Sequence, residues 1–154
     1  MADNDSNLRA IRNVVRRTHH NWDVHPAFKQ RGQSLGQFFA MLGAVLRADD
    51  VRYSTSSLGD EDALWIGLTD AHIVTGEAST TRMQIAVRPL KLAKLEVVSA
   101  PWTPDGLTAP EPLRVVIVLE DGANYPLPGD DISLEREEGK LEEFLPQLVK
   151  KVVS

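Results

Sequence analysis

The stretch Ala63-Leu64-Trp65-Ile66-Gly67-Leu68-Thr69-Asp70-Ala71-His72-Ile73-Val74-Thr75 holds two short apolar runs around a polar link. Runs of this length, with aromatic and β-branched residues, read as strands, and the link between them as a tight hairpin. Thr69-Asp70 is not a preferred turn pair, so the hairpin is inferred from its flanks. Downstream, Arg82 to Val87 alternates with period two, as a half-buried strand does. Leu90, Leu92 and Leu95 to Val98 predict another strand, interrupted or bulged. Leu113 to Leu119 is the most apolar run and predicts a central strand. Glu120-Asp121-Gly122 turns that strand into Ala123 to Leu127, and Pro126 sets the partner near an edge or a strand end. Between these hairpins, Pro101, Pro104, Pro110 and Pro112 predict a long loop.

Outside the strands the periodicity changes. Leu35, Phe38, Phe39, Leu42, Val45 and Leu46 form one apolar stripe at helical spacing, with Ser34 as the expected N-cap and Asp49-Asp50 as the expected end. Leu8, Ile11 and Val15 predict an earlier helix capped by Ser6, with Arg9, Arg12 and Arg16 on its solvent side. At the other end, Leu141, Phe144, Leu145, Leu148, Val149 and Val152 predict a closing helix after an acidic loop from Gly129 to Gly139. Glu142 and Glu143 precede Lys150 and Lys151, which suits the helix dipole, while Pro146 removes one backbone hydrogen bond. Strands in series without interleaved helices imply an antiparallel sheet or small barrel, hence an α+β fold. The expected division is an N-terminal helical arm, residues 1–52, and a β-rich domain with its C-terminal helix, residues 53–154.

The chain has 154 residues, 42% hydrophobic and 25% charged, which is enough to bury a core and argues against wholesale disorder. It has no cysteine, so disulfides, cysteine–zinc sites and thiol nucleophiles are excluded. No apolar run approaches the roughly 18 residues needed to cross a bilayer, and the acidic start Asp3-Asn4-Asp5 is unlike a signal peptide. A cytoplasmic protein is expected. The net charge of −5 is unevenly spread: the arm has eight basic and five acidic residues, or +3, and the remainder is −8. That split implies an arm whose basic face pairs with the acidic body, and a body that repels nucleic acid.

The order of these features resembles bacterial pleckstrin-homology-like domains over roughly residues 60–153. Leu68-Thr69-Asp70 followed by His72-Ile73-Val74 resembles their strand pair. Arg88 to Val97 is similar to their next strand, and Leu113 to Leu127 to their last hairpin. The terminal helix resembles the one that closes an end of their barrel. The resemblance implies a PH-like antiparallel barrel or bent sheet with a C-terminal capping helix. Phosphoinositide-binding relatives use Lys and Arg around their first strand loop; here the corresponding segments, Ser54 to Asp62 and Gly76 to Thr81, are acidic or neutral. An inositol-phosphate site of that type is therefore not expected; many relatives are instead protein-binding modules, and the bacterial ones are mostly of unassigned role.

Candidate chemistry is sparse. His19, His20 and His25, beside Asp23, have ligand types a metal would accept, but no helical His-Glu-x-x-His spacing and no second cluster to complete a site. A polar inter-helix loop with Trp22 tucked against the helices is the simpler reading. No Gly-x-Ser-x-Gly elbow occurs, and Gly32-Gln33-Ser34-Leu35-Gly36 lacks the lysine of a phosphate loop. The long linker after the first helix does not fit a helix-turn-helix. The expectation is a non-enzymatic interaction module without a cofactor, binding a protein partner or itself through Phe38, Leu42, Trp102, Arg9, Arg12 and Arg16. Two alternatives stand beside it: peripheral membrane or lipid-headgroup contact through Arg88, Lys91 and Lys94, and a metal protein or enzyme using the histidine cluster.

Overall fold

The computed structural model describes residues 2–19, 21–29, 32–100, 113–129 and 135–152. Helix α1 (Ala2–Thr18) and helix α2 (Leu35–Val45) come first, linked by short 3-10 turns at Trp22–Val24 and Pro26–Phe28. Four strands follow, β1 (Tyr53–Leu58), β2 (Ala63–Leu68), β3 (His72–Ala78) and β4 (Met83–Pro89). Then come β5 (Leu92–Ser99), β6 (Arg114–Leu119), β7 (Asn124–Leu127) and helix α3 (Glu135–Lys150). All pairing is antiparallel, in a four-stranded sheet ordered β1-β2-β3-β4 and a three-stranded sheet ordered β5-β6-β7. The fold is α+β with two separate sheets, so the closed-barrel form of the expectation gives way to paired open sheets.

The hairpin that set the reading is present. Ile66 faces Thr75 and Leu68 faces Ile73 across β2 and β3. The Thr69 hydroxyl compensates for the unfavourable turn pair by accepting the N–H groups of Ala71 and His72, at 3.3 and 2.9 Å. β5 carries register shifts at Leu92/Lys94 and Val97/Ser99, the bulges its broken pattern implied. Pro126 sits in β7, at the edge of its sheet.

Element ends differ from the sequence reading. Helix α1 begins at Ala2, so Ser6 lies inside it, and Asp5 lies in a first turn where negative charge favours the dipole. Helix α3 begins at Glu135, within the stretch expected to be an acidic loop. Ser34 caps α2 in a reciprocal box with Gln37, but the helix stops at Val45 and Asp49-Asp50 belongs to a separate 3-10 turn.

Two cores flank the first sheet. Side chains alternate along β2, so Ile66 and Leu68 face one side while Ala63 and Trp65 face the other. Ile66, Leu68 and Ile73 pack toward Val115, Ile117 and Leu119 of the second sheet, with Leu141, Phe144 and Leu148 of α3 closing that core. On the opposite side, Trp65 and Val74 meet Ile11 and Val15 of α1 and Phe38 and Leu42 of α2. Glycines make room for the aromatic rings there. A Cβ on Gly67 would lie 2.2 Å from the Trp65 ring, and one on Gly76 would lie 2.6 Å from the Phe38 ring.

The arm docks through apolar packing and backbone capture. Asn7 donates its amide to the Leu46 carbonyl at 3.0 Å and accepts the Ala48 N–H at 2.9 Å, fixing α1 to the end of α2. Among the described residues the basic face of α1 makes no ion pair to the acidic body; the arm's pair to it is Arg52–Asp70, off that helix, 3.3 Å apart and exposed. Arg16 instead pairs with Asp23 of its own segment at 2.7 Å and lies over the Phe39 ring.

Candidate functional site

All of the stripe on α2 but Val45 packs toward the chain's own first sheet. Phe38 and Leu42 are fully buried, and Phe38 stacks with Trp22 at 5.6 Å and packs on Phe28 at 5.3 Å. Neither residue offers a surface to a partner, which corrects their assignment as binding residues; an apolar stripe next to an uncovered sheet face buries there first. On α1, Arg9 and Arg12 are exposed, while Arg16 is engaged as described. Trp102 and His20 lie outside the described residues.

His25 is a structural brace. Its Nδ1 accepts the Ala27 N–H at 3.1 Å, so the proton sits on Nε2, which donates to the Gly59 carbonyl at 2.8 Å. Both ring nitrogens are thereby used within the fold. His19 is buried, and its Nδ1 accepts the Asn21 N–H at 3.0 Å. Among the described residues no group of three or more His, Asp or Glu side chains converges to hold a metal ion.

The residues proposed for lipid headgroups are spread over two strands and the turn between them. Arg88 donates to the Tyr125 hydroxyl at 2.9 Å and lies 3.9 Å from the Asp121 carboxylate. Lys94 is ion-paired with Glu96 on its own strand. Lys91 is exposed beside Glu120 and Asp121, which line the same small cleft. Carboxylates therefore meet each of these cations, a poor setting for a second anion.

The segments flanking the first and third strand loops do come together. They enclose a groove of about 500 Å³ lined by Ser57, Asp62, Leu64, Glu77, Ser79 and Arg82. Its two carboxylates outnumber its one guanidinium, in keeping with the acidic or neutral character read from the sequence. The arm braces both loops from behind: His25 holds Gly59, and Gln33 donates to the Ser79 carbonyl at 2.7 Å.

The surface the sequence reading passed over is the edge of β5. Val97 and Val98 are 56% and 62% exposed at the end of this strand. The direction of its backbone follows from its neighbours. Leu119 of β6 donates its N–H to Ala123 on the β7 side, and Ile117, two residues before, faces Tyr125 of β7. Alternation in an antiparallel ladder then sends the N–H and C=O of Leu95, opposite Ile117, away from β6. Val97, opposite Val115, does the same. Leu92, opposite Leu119, confirms the direction by donating its N–H to the Lys151 carbonyl, with Val152 bridging beside it. The alternating Lys94-Leu95-Glu96-Val97 was legible as a strand, but its position at an edge is a property of the sheet order.

Comparison with family models, curated proteins and solved structures finds no match for this chain.

Proposed function

We propose that this chain is a non-enzymatic protein-interaction module of pleckstrin-homology-like build, binding an extended segment of a partner along the edge of β5. The architecture supports the first half of this reading, the pleckstrin-homology-like build: the β2–β3 pair, β5, the β6–β7 hairpin and the closing helix follow the order that the resemblance implies. The observation that carries the second half is the outward-facing backbone of Leu95 and Val97 beside the exposed Val97 and Val98 side chains. Added strands gain affinity from main-chain hydrogen bonds and selectivity from such neighbouring side chains. The arm, in this reading, is a structural cover for the first sheet and a brace for its loops.

Panning a displayed library of extended peptides against the full chain tests the proposal. Strand-forming apolar peptides are expected to be enriched, and Leu95→Pro is expected to abolish their binding. That substitution removes an N–H that the β5–β6 ladder does not use but also trims a side chain packed on the core, so a thermal melt of the variant accompanies the binding measurement. Slowed amide exchange at Leu95 and Val97 in the bound wild-type chain gives a second readout that needs no variant. No enrichment, or binding indifferent to Leu95→Pro with unchanged exchange on β5, overturns the reading.

A further inference from the structure

The edge of β5 is self-complementary. Lys94 and Glu96 flank Leu95, both exposed on the outer face of the second sheet. An antiparallel copy of the same strand, placed about a two-fold axis at Leu95, sets Lys94 of each copy opposite Glu96 of the other, so that the pair each chain makes within itself is exchanged for two between copies. Leu95 then faces Leu95, and their outward N–H and C=O groups exchange two hydrogen bonds at the axis. Directly opposed residues on one face of such a pair stand about 4.5–5.5 Å apart at Cβ, within reach of an ion pair. The symmetry makes the contact closed, so it produces a dimer and no fibre.

From this register we infer that the occupant of the β5 edge is a second copy of this chain, paired antiparallel about Leu95. The inference rests on the reading of β5 as the binding edge and names its partner. The fold limits the paired stretch at both ends. Bulges lie on either side of the regular run from Lys94 to Val97. At the Leu92 end the edge is already taken by Val152, which bridges Leu92 in parallel. Pairing is therefore centred on Lys94 to Glu96, and beyond it Val98 of each copy approaches Val152 of the other, covering two exposed valines per chain. The short ladder makes this a weak dimer of the transient class.

Charge reversal reads the register directly. Lys94→Glu alone places like charges across both symmetric pairs, and so does Glu96→Lys alone; both side chains are exposed, at 61% and 47%, so the fold is unaffected. Sedimentation equilibrium of the full chain at rising concentration is expected to show a dimer in the wild type and, in each variant, dissociation strengthened about tenfold. An equimolar mixture of the two variants restores the opposite-sign pairs and is expected to dimerise as the wild type does, less strongly at high salt. A wild type that stays monomeric to millimolar concentration overturns the inference. So does a dimer indifferent to these charges, or a mixture no tighter than its components. If the chain is monomeric while Leu95→Pro still abolishes peptide binding, the second copy fails as the occupant and the β5 edge stands. If peptide binding is also absent, both fail.

Discussion

The two sheets treat their central strands differently. β2, inside the first sheet, is buried almost throughout because α1 and α2 cover one face and the second sheet covers the other. β6, inside the second sheet, alternates between half-buried and buried positions, with Val116 and Val118 on the less covered face. Yet β6 is the more continuously apolar of the two in sequence. Hydrophobicity along a strand thus indicates that it belongs to a sheet, while coverage by neighbouring elements decides whether one face or both must be fitted closely. Fitting a face costs sequence freedom: the first sheet places Gly67 and Gly76 under aromatic rings, whereas the outer face of the second carries Val116 and Val118 beside the charged Lys94 and Glu96.

Phe38→Ala gives the largest expected contrast. Removing a fully buried ring from the arm-to-sheet core should cost about 3–5 kcal/mol, against about 1 kcal/mol or less for Val116→Ala on the outer face of β6. Urea unfolding of both variants checks this, and equal losses would break the distinction between the sheets. Gly67→Ala should follow, at about 2–3 kcal/mol, because its methyl group must displace the Trp65 ring. A neutral result by the same measurement would show that this ring can move, and that the covered face is less closely fitted than its geometry implies. The smallest effect is expected on the exposed edge, where Val98→Thr should change stability by no more than about 0.5 kcal/mol. The same substitution should weaken self-association in sedimentation, separating a residue kept for contact from one kept for folding.

Much of the architecture was legible in local patterns. The stripes from Leu35 to Leu46 and from Leu141 to Val152 follow helical spacing; α2 and α3 carry most of each and bury Phe38, Phe39, Leu42, Leu141, Phe144 and Leu148, while Val45, Val149 and Val152 stay exposed. The strand from Arg82 to Val87 and the hairpin around Gly122 were equally plain, since alternation and turn residues act over a few neighbours. β1 was not distinguished from its loop. Its Tyr53-Ser54-Thr55-Ser56-Ser57-Leu58 is mostly hydroxyl residues, and Thr55 and Ser56 are buried because β2 and the two cores close over them. The Thr55 hydroxyl also accepts the Gly129 N–H at 2.8 Å from 74 residues away, a partner no local pattern announces.

The candidate site was less legible than the fold. Charge and aromaticity singled out Arg88, Lys94 and Phe38, and each is engaged within the chain: Arg88 by Tyr125 and Asp121, Lys94 by Glu96, Phe38 by Trp22 and Phe28. The histidine cluster shows the same conversion, since His25 became a link between the arm and the first strand loop.

By itself, the sequence determined the class of every main element but β1, the α+β order, the absence of thiol chemistry and the uneven charge of the two segments. These depend on residue type and on spacings of a few positions, which side-chain sterics and backbone periodicity translate directly into helix or strand. Only the tertiary structure decided that the strands form two sheets, that α2 spends its stripe on the first, and that β5 is left at an edge with its backbone turned outward. Those outcomes depend on which surfaces reach each other first across long separations in the chain, and burial of one face removes it from use as surely as exposure offers another.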